Sequence, residues 1–524
     1  MPTLDWIGKS KVVNHHLEVP YRILERKYSY DDAGFHSDDN NSDNMIIHGD
    51  NLVALKSLLP QYEGRVKCIY IDPPYNTGNE GWIYNDNVND PHIRKWLGEV
   101  VGKDGEDLSR HDKWLCMMYP RLRLLQKLLS EDGVIFISID DNELANLKLL
   151  CDEIFRNFVV TIVWQKRTSP EARKKLSSGH EYILVYSKNP NSDIGLRLLP
   201  LDEKDAEVYT NPDNDPRGPW ISSPFTAPGY RPNQMYSIIT PSGRVENPPK
   251  GRCWCNVEEV YQRLLSEGRM WFGADGNGVP RRKTYLSERE GKTTWSWWTN
   301  AEVGYTQYAT QELSAILGKA SFDYPKPTKL IERIINLSTD KDSVILDSFA
   351  GSGTTGHAVL NVNNSDGGNR KFILVEMDAY ADTITAERLK RVINGYGEGK
   401  NTTSGIPGSF SYYELGNPLF IEEKLNEDIE ENEIRKYVFY SETKQKIETR
   451  RADEPYYLGS YMDVAYYFNY EKTSVTTLNR SFLHTIKTKA DSYVIYADLC
   501  TLSTRELEKY NITFKKIPRD ISRL

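Results

Sequence analysis

The 524-residue sequence has few cysteines and no long apolar run. These two features argue against a disulfide-rich, zinc-binding or membrane-spanning protein. The six cysteines are scattered, and the closest pair, Cys253 and Cys255, lacks the second pair that a structural zinc site needs. No stretch approaches the roughly 18 uninterrupted apolar residues of a membrane-spanning helix. The first residues are neither basic nor apolar enough for a signal peptide. The sequence therefore predicts a cytoplasmic protein with reduced thiols, no metal site and no membrane contact.

The chain also lacks an excess of positive charge, because its formal net charge is −8. This balance does not exclude a polyanionic partner, since affinity for nucleic acid depends on the charge at the contact itself. Residues 156–197 hold eight basic and three acidic residues. An ordinary solvated loop would have the same composition, so phosphate contact remains one of two interpretations. The candidate DNA-binding residues are Lys166, Arg167, Arg173, Lys174 and Lys175.

The most informative motif is Asp72-Pro73-Pro74-Tyr75, which follows an apolar run over 66–71. The run predicts a buried strand that stops at two prolines. Ligands of open α/β sheets bind at the carboxyl ends of their strands, where this motif would lie. The Asp72 carboxylate and the Pro73 carbonyl could each accept a hydrogen bond from an exocyclic amino group, and Tyr75 offers a face for stacking. The same residue types also form ordinary turns, so the motif alone does not fix a function.

A glycine-rich segment much later in the chain predicts a second ligand-binding loop. Residues 344–346 form a short β-branched run, and Gly351 and Gly353 allow the backbone to turn tightly and approach a ligand. A phosphate-binding P-loop is excluded because His357 stands where that loop requires a lysine.

The loop is compatible with two cofactors that contain adenosine. Residues 351–356 match the glycine spacing of a Rossmann dinucleotide loop, but residues 347–350 separate them from the strand. Glu376 ends the next predicted strand and is placed to bind ribose hydroxyls. This local pattern leaves NAD and S-adenosylmethionine open.

The two motifs together resemble the S-adenosylmethionine-dependent amino-methyltransferases of DNA. The resemblance rests on Asp72-Pro73-Pro74-Tyr75-Asn76-Thr77-Gly78 and on Phe349-Ala350-Gly351-Ser352-Gly353-Thr354-Thr355. Because the catalytic segment precedes the cofactor loop, the order is similar to that of the beta class. Within this class the chain resembles the modification subunits of type III restriction–modification systems, through residues 72–80, the long insert before Pro325 and the closing segment 512–521.

The resemblance implies an α/β fold with a Rossmann-like methyltransferase sheet in permuted, beta-class order. An inserted target-recognition domain and a small C-terminal α+β domain are expected beside it. The expected divisions are an N-terminal extension (1–44), the catalytic half of the core (45–189), the inserted domain (190–320), the cofactor-binding half of the core (321–400) and a domain for dimerisation or partner docking (412–524).

The resemblance also implies methyl transfer from S-adenosylmethionine to N6 of an adenine flipped out of duplex DNA. Its implied partners are double-stranded DNA, a second copy of the chain and a separate restriction subunit with helicase and nuclease activity. The implied catalytic residues are Asp72, Pro73, Pro74 and Tyr75. The implied cofactor-binding residues are Asp50, Lys326, Asp347, Phe349, Gly351, Ser352, Gly353, Thr354 and Glu376.

Other functions remain open at this point. Methylation of cytosine N4 uses the same geometry, although serine more often stands in place of Asp72 in such enzymes. An RNA substrate is a further alternative, and so is a non-catalytic DNA-recognition subunit. A nuclease within the same chain is not supported, because the sequence has neither a Walker A lysine loop nor a convincing nuclease pattern.

Overall fold

The computed structural model of the protein describes residues 4–77, 105–172, 174–191, 195–318, 322–399, 402–447 and 449–519. The candidate residue Arg173, and residues 78–80 of the motif after Tyr75, lie outside these ranges. The chain divides into two compact units, Met1–Arg197 with Trp295–Leu524, and Leu198–Thr294. Within the described ranges, no helix is both long and apolar enough to cross a membrane.

An eleven-stranded sheet forms the centre of the first unit. Its strands are β1 (Arg22–Asp31), β2 (Gly34–His36), β3 (Met45–His48), β4 (Val66–Ile71), β5 (Leu129–Ile139), β6 (Asn157–Gln165), β7 (His180–Ser187), β8 (Trp297–Trp298), β9 (Val344–Asp347), β10 (Lys371–Glu376) and β11 (Phe410–Pro418). Their order across the sheet is β8-β6-β7-β5-β4-β9-β10-β3-β11-β1-β2. The strands from β5 to β11 in this order run parallel, and β7 is antiparallel to both of its neighbours.

Helices pack against the sheet, so its central strands are buried and consist mainly of apolar residues. All six residues of β4 are buried, as expected for a parallel strand covered on both faces. The longer helices are α1 (Asn51–Tyr62), α2 (Gly105–Leu128), α3 (Leu144–Ile154), α4 (Thr306–Leu317), α5 (Thr328–Ser338), α6 (Thr354–Asp366) and α7 (Glu387–Asn394). Shorter helical segments are Lys9–Val12, His15–Glu18, Asn300–Val303 and the π-helical turn Ala381–Ala386. The predicted Rossmann-like α/β sheet in permuted order is confirmed.

The topology creates a crevice between β4 and β9. From β4 the chain crosses through α2 to β5 on one side, and from β9 it crosses through α6 to β10 on the other. Connections that leave in opposite directions open a gap at the carboxyl ends of the two strands, which is the usual ligand site of open α/β sheets. Both motifs identified in the sequence begin at this gap.

The bounds of the first unit differ from the expected divisions at three places. Residues 1–44 are not merely an extension, because β1 pairs with β11 and widens the sheet. The boundary expected at 412 falls inside β11, a strand that pairs with β3. The bounds expected for the insert, 190–320, include β8 and α4, which belong to the first unit because β8 pairs with β6.

The second unit, residues 198–294, has its own apolar core around Phe225, Trp254 and Tyr261. Its helices are Glu203–Glu207 and Glu258–Ser266, with 3-10 turns at Pro232–Gln234 and Leu286–Glu288. Its strands are Trp220–Pro224, Thr226–Pro228, Ile238–Ile239, Val245–Glu246, Arg252–Trp254, Met270–Trp271 and Arg281–Tyr285.

The C-terminal part of the first unit contains a separate four-stranded sheet. Its strands, in spatial order, are Tyr457–Tyr461, Val464–Phe468, Ser492–Ala497 and Ile512–Lys516. The helices of this region are Glu431–Thr443, Arg480–Leu483 and Thr504–Lys509. Short strand pairs are Gly395–Tyr396 with Thr403–Ser404, Phe420–Ile421 with Lys424–Leu425, and Thr477–Leu478 with Leu499–Cys500.

Candidate active site

Two cavities meet at the carboxyl ends of β4 and β9. The glycine-loop cavity, 350 Å³ in volume, is lined by the segment after β9 and by the end of β10. The Tyr75 cavity, 720 Å³ in volume, is lined by the segment after β4 and by the ends of β6 and β7. The residues that line both cavities are Asp72, Pro74, Phe322, Tyr324, Pro325 and Lys326.

Asp72 stands on the wall that the two cavities share. Its Oδ2 accepts a hydrogen bond from Lys326 Nζ at 2.6 Å. Its Oδ1 is buried and has no hydrogen-bond partner among the residues that the structure describes. The backbone after Asp72 is fixed, because the Pro74 carbonyl accepts a hydrogen bond from Trp114 Nε1 at 2.7 Å. One oxygen of the carboxylate is therefore paired with Lys326, and the other is enclosed without a partner among the described residues.

Glu181, on β7, connects Tyr75 with two lysines in the Tyr75 cavity. Its Oε2 accepts from the Tyr75 hydroxyl at 3.1 Å, and its Oε1 accepts from Lys166 Nζ at 2.8 Å. Lys326 Nζ lies 3.7 Å from Oε2 and 5.1 Å from the centroid of the Tyr75 ring. Burial opposes ionisation, but Lys326 and Lys166 still hold the pKa of Glu181 below its usual value. Burial also lowers the pKa of Lys326, but the negative charges of Asp72 and Glu181 outweigh burial and raise this pKa above its usual value.

Asp347, the last residue of β9, presents a buried carboxyl group to the glycine-loop cavity. It accepts hydrogen bonds from the Phe349 backbone N–H at 3.0 Å and from Thr355 Oγ1 at 2.5 Å. Burial nevertheless raises the pKa of Asp347 to about 7, because desolvation penalises the charged form. A cation entering the cavity would favour its ionised form.

Glu376, the last residue of β10, lines the same cavity. It accepts backbone hydrogen bonds from Gly351 at 2.7 Å and from Asp378 at 3.0 Å, which hold the glycine loop against the strand end. Burial raises the pKa of Glu376. Phe349, Gly351, Ser352 and Thr354 also line this cavity.

Two predicted cofactor-binding residues do not line either cavity. Asp50 caps the N-terminus of α1, where its side chain accepts from the backbone N–H groups of Leu52 and Val53. Gly353 has φ +77°, and a Cβ there would lie 2.9 Å from the Thr385 carbonyl oxygen. Protein packing therefore requires glycine at 353, whereas the sequence-based expectation was close approach to a ligand.

The candidate DNA-binding residues do not share one environment. Lys166 lines the Tyr75 cavity and is paired with Glu181, so the structure does not support its predicted contact with phosphate. Arg167 and Lys174 form exposed ion pairs with Glu171, which are weak and easily exchanged for another anion. Lys175 is exposed. These last three residues lie in the loop between β6 and β7, which leaves the same sheet edge as the motif after β4.

Several site residues were not predicted from the sequence. Glu181 is a carboxylate in an otherwise apolar strand, and that contrast was the available signal. Phe322 and Tyr380 line the glycine-loop cavity with their rings nearly perpendicular and 5.4 Å apart. Tyr324 lines both cavities but is 79% exposed. No local pattern marks these aromatic residues, because distant parts of the chain bring them together.

Comparison with known proteins gives one family and several relatives. The DNA methylase family matches residues 66–387 of the chain. The chain is 38% identical to the Mod subunit of the type III restriction-modification enzyme StyLTI of Salmonella typhimurium, over 79% of the chain and 66% of that protein. It is 33% identical to the Mod subunit of the type III restriction-modification enzyme EcoP15I of Escherichia coli, over 72% of the chain and 64% of that protein. It is 35% identical to the type II methyltransferase M.KpnI of Klebsiella pneumoniae, over 64% of the chain and 81% of that protein. The chain thus aligns with slightly less than two thirds of each Mod subunit.

Proposed function

The chain belongs to the DNA methylase family, and from that premise we propose that it transfers a methyl group from S-adenosylmethionine to N6 of an adenine in duplex DNA. The observation that carries the proposal is the position of Asp72, at the wall shared by two cavities, with one carboxylate oxygen free of partners within the described chain. A residue so placed can touch a cofactor on one side and a base on the other.

The glycine-loop cavity suits S-adenosylmethionine. Its volume of 350 Å³ lies in the range of small-ligand sites. Glu376, at the end of the strand next to β9, would bind the ribose hydroxyls, as carboxylates at this position do in nucleotide-binding sheets. Asp347 would bind the ammonium of the methionine part, and Phe349 would pack beside the cofactor. The cofactor supplies a methyl group that is activated by a positively charged sulfur.

The Tyr75 cavity would receive the adenine. Its volume is 720 Å³, and Tyr75 and Trp164 are aromatic residues in its wall. An adenine within a duplex hides its amino group, so the base must be flipped out at a cost of a few kcal/mol of unstacking. Stacking on Tyr75 would offset part of this cost, since base–aromatic stacking contributes about 1–3 kcal/mol per base.

The roles of the motif residues follow from this arrangement. Asp72 Oδ1 and the Pro73 carbonyl would accept the two N–H bonds of the amino group and turn the nitrogen lone pair towards the methyl group. As the bond from the nitrogen to the methyl carbon formed and the carbon–sulfur bond broke, its electron pair would return to sulfur and positive charge would develop on the nitrogen. The Asp72 carboxylate would stabilise that charge and accept the proton that leaves. Positioning of this kind supplies a large part of the rate enhancement of such reactions.

We also propose partners for the chain. Its Mod relatives are subunits of restriction-modification enzymes, which supports a role beside a separate restriction subunit. The second unit, 198–294, is proposed to recognise the target sequence. The homodimer expected from the sequence remains a prediction.

The test is to express the chain in cells that lack adenine methylation and to sequence their DNA by a single-molecule method. We expect N6-methyladenine at one short sequence context. Asp72→Asn, which keeps the side-chain volume but removes the charge, should abolish the mark and leave the affinity for S-adenosylmethionine nearly unchanged in calorimetry. N4-methylcytosine in place of N6-methyladenine, or unmodified DNA from the wild-type chain, would contradict the proposal.

A further inference from the structure

We propose that Lys326 is a positioning residue for Asp72, and that Glu181 balances its charge; this inference rests on the proposed function. Lys326 Nζ donates to Oδ2 of Asp72 at 2.6 Å, which leaves Oδ1, buried and without a partner among the described residues, as the remaining acceptor of the carboxylate. A carboxylate has two equivalent oxygens and can rotate. A bond that occupies one of them fixes which oxygen meets the amino group and in which plane.

The backbone of Lys326 is held in a way that suits this role. The residue stands between Pro325 and Pro327, which restrict the backbone on both sides. Its carbonyl accepts a hydrogen bond from Thr354 Oγ1 at 3.2 Å, so the segment is tied to the glycine loop. The ammonium is thereby positioned relative to both cavities. Only 10% of the side chain is exposed, so water competes little for the ammonium.

Glu181 makes the buried ammonium compatible with this site. An isolated charge is costly to bury, and Asp72 must also remain available to the base. Glu181 Oε2 lies 3.7 Å from Lys326 Nζ, and the same oxygen accepts from the Tyr75 hydroxyl at 3.1 Å. Glu181 therefore lies between two lysines, since Lys166 Nζ donates to its Oε1 at 2.8 Å, and it also orients the ring on which the base would stack. Asp72, Lys326 and Glu181 thus form one connected group of charges. This group positions both the Asp72 carboxylate and the Tyr75 ring.

The experiment measures single-turnover methylation by Lys326→Ala with saturating cofactor and DNA. We expect the rate to fall by about 10²-fold, the loss that misplacement of a reacting group by about 1 Å can cause. Cofactor affinity by calorimetry, and base flipping reported by 2-aminopurine fluorescence, should change by less than about threefold. The matched control is Lys329→Ala, because Lys329 is exposed on α5 and contacts the Tyr308 ring instead.

A further readout separates positioning from a merely structural role. Propylammonium, which replaces the truncated part of the side chain, should restore the rate at least about tenfold and saturably, whereas 1-propanol should not.

Three results would overturn the inference. The first is a rate within about threefold of wild type, and the second is a loss of cofactor affinity or base flipping in proportion to the rate. The third is a slow variant that propylammonium does not rescue while circular dichroism shows a normal fold. The base that the wild-type chain methylates is read in the same assay, so failure of the proposed function is recognised separately. If that base is cytosine, the same comparison of rates decides the role of Lys326.

Discussion

Single side chains at the strand ends decide how the glycine-loop cavity responds to charge. Asp347 and Glu376 both end parallel strands, and burial raises the pKa of each carboxyl group. The pKa of Asp347, about 7, leaves this group partly protonated near neutral pH in the free protein. A positively charged ligand beside it would favour the carboxylate and therefore release a proton.

We expect Asp347 to release up to about one proton at about pH 6, and none at about pH 9, when S-adenosylmethionine binds. The sign follows because the free group is mostly protonated below its pKa, whereas the bound group is ionised. The affinity of the wild type should accordingly rise with pH from about 6 to 7, and it should fall above about pH 8, where the α-amino group of the free cofactor loses its proton. Calorimetry in buffers of different ionisation enthalpy measures the protons released.

Asp347→Asn is the control for this prediction, because its amide cannot titrate. The difference between the two proteins removes the contribution of the cofactor's own amino group. Equal proton release by wild type and variant would show that Asp347 does not contact a cation.

The residues of the site were predictable to the extent that they end or follow apolar strands. Asp72, Asp347 and Glu376 could be found in this way, because the pattern of the strand places each of them at the sheet edge. Phe322 could not, since it enters the site only through folding of distant segments. Glu181 was marked only as a carboxylate in an apolar strand, and that contrast does not reveal its partners. Lys326 was assigned to the cofactor, but its closest charged partner is Asp72.

At the level of elements, the glycine loop is constrained by the protein itself. Gly353 has a positive φ and lies against the carbonyl of Thr385, whereas Gly367, at the end of α6, has a similar φ of +66° with open space around it. A side chain at either position would strain the backbone, but only a side chain at 353 would also clash with a neighbouring atom. Comparing the two positions therefore separates the two effects.

We expect Gly353→Ala to lower the free energy of unfolding by about 2–4 kcal/mol, and Gly367→Ala by about 1 kcal/mol. Urea unfolding measures both. The larger effect at 353 should be accompanied by loss of cofactor binding, because the loop must shift to relieve the clash. An unchanged unfolding midpoint for Gly353→Ala, with cofactor binding lost, would instead indicate that the side chain blocks the cofactor directly.

The loop between β6 and β7 contains charges with two different roles. Arg167, Lys174 and Lys175 are exposed or weakly paired, whereas Lys166 is paired with Glu181 inside the Tyr75 cavity. Replacing the first three by glutamine should weaken binding to all DNA sequences. It should also reduce the slope of log affinity against log salt by about one for each phosphate that the variant no longer neutralises.

Lys166→Gln is the matched variant for this loop. It should leave the salt slope unchanged and lower the methylation rate, because it removes a partner of Glu181. Fluorescence anisotropy at several salt concentrations measures the slopes. A changed sequence preference at unchanged affinity in the triple variant would contradict the assignment to phosphate.

At the level of the whole molecule, the sequence predicted an inserted domain but placed its bounds too widely. Clustered prolines, glycines and tryptophans marked the change in composition, yet composition does not reveal strand pairing. Trp297 and Trp298 form β8 in the main sheet, and Thr306, on α4, lines the Tyr75 cavity. Trp220 and Trp254 are buried within the second unit, as an ordinary core requires.

An exchange of recognition specificity should therefore use residues 198–294. Replacing this unit by the corresponding unit of a relative with another target should switch the methylated sequence, because base contacts carry sequence information. Single-molecule sequencing reads the result. An exchange of 190–320 is the control, and it should lose activity because the relative's β8 and α4 must then pack on this chain's β6 and cavity wall. Methylation of the original sequence by the 198–294 hybrid would contradict the role of this unit.

The distance along the chain between β4 and β9 has a consequence for synthesis. About 270 residues separate these neighbouring strands, and translation at about 5–20 residues per second takes roughly 14 to 55 s to cross that interval. During this time one edge of a strand that is wholly buried in the folded protein has no neighbour, and such an edge is a template for aggregation. Ribosomes that stall or terminate before Val344 thus release chains with an open central edge. The permuted order therefore lengthens the time during which an unfinished chain is exposed to aggregation.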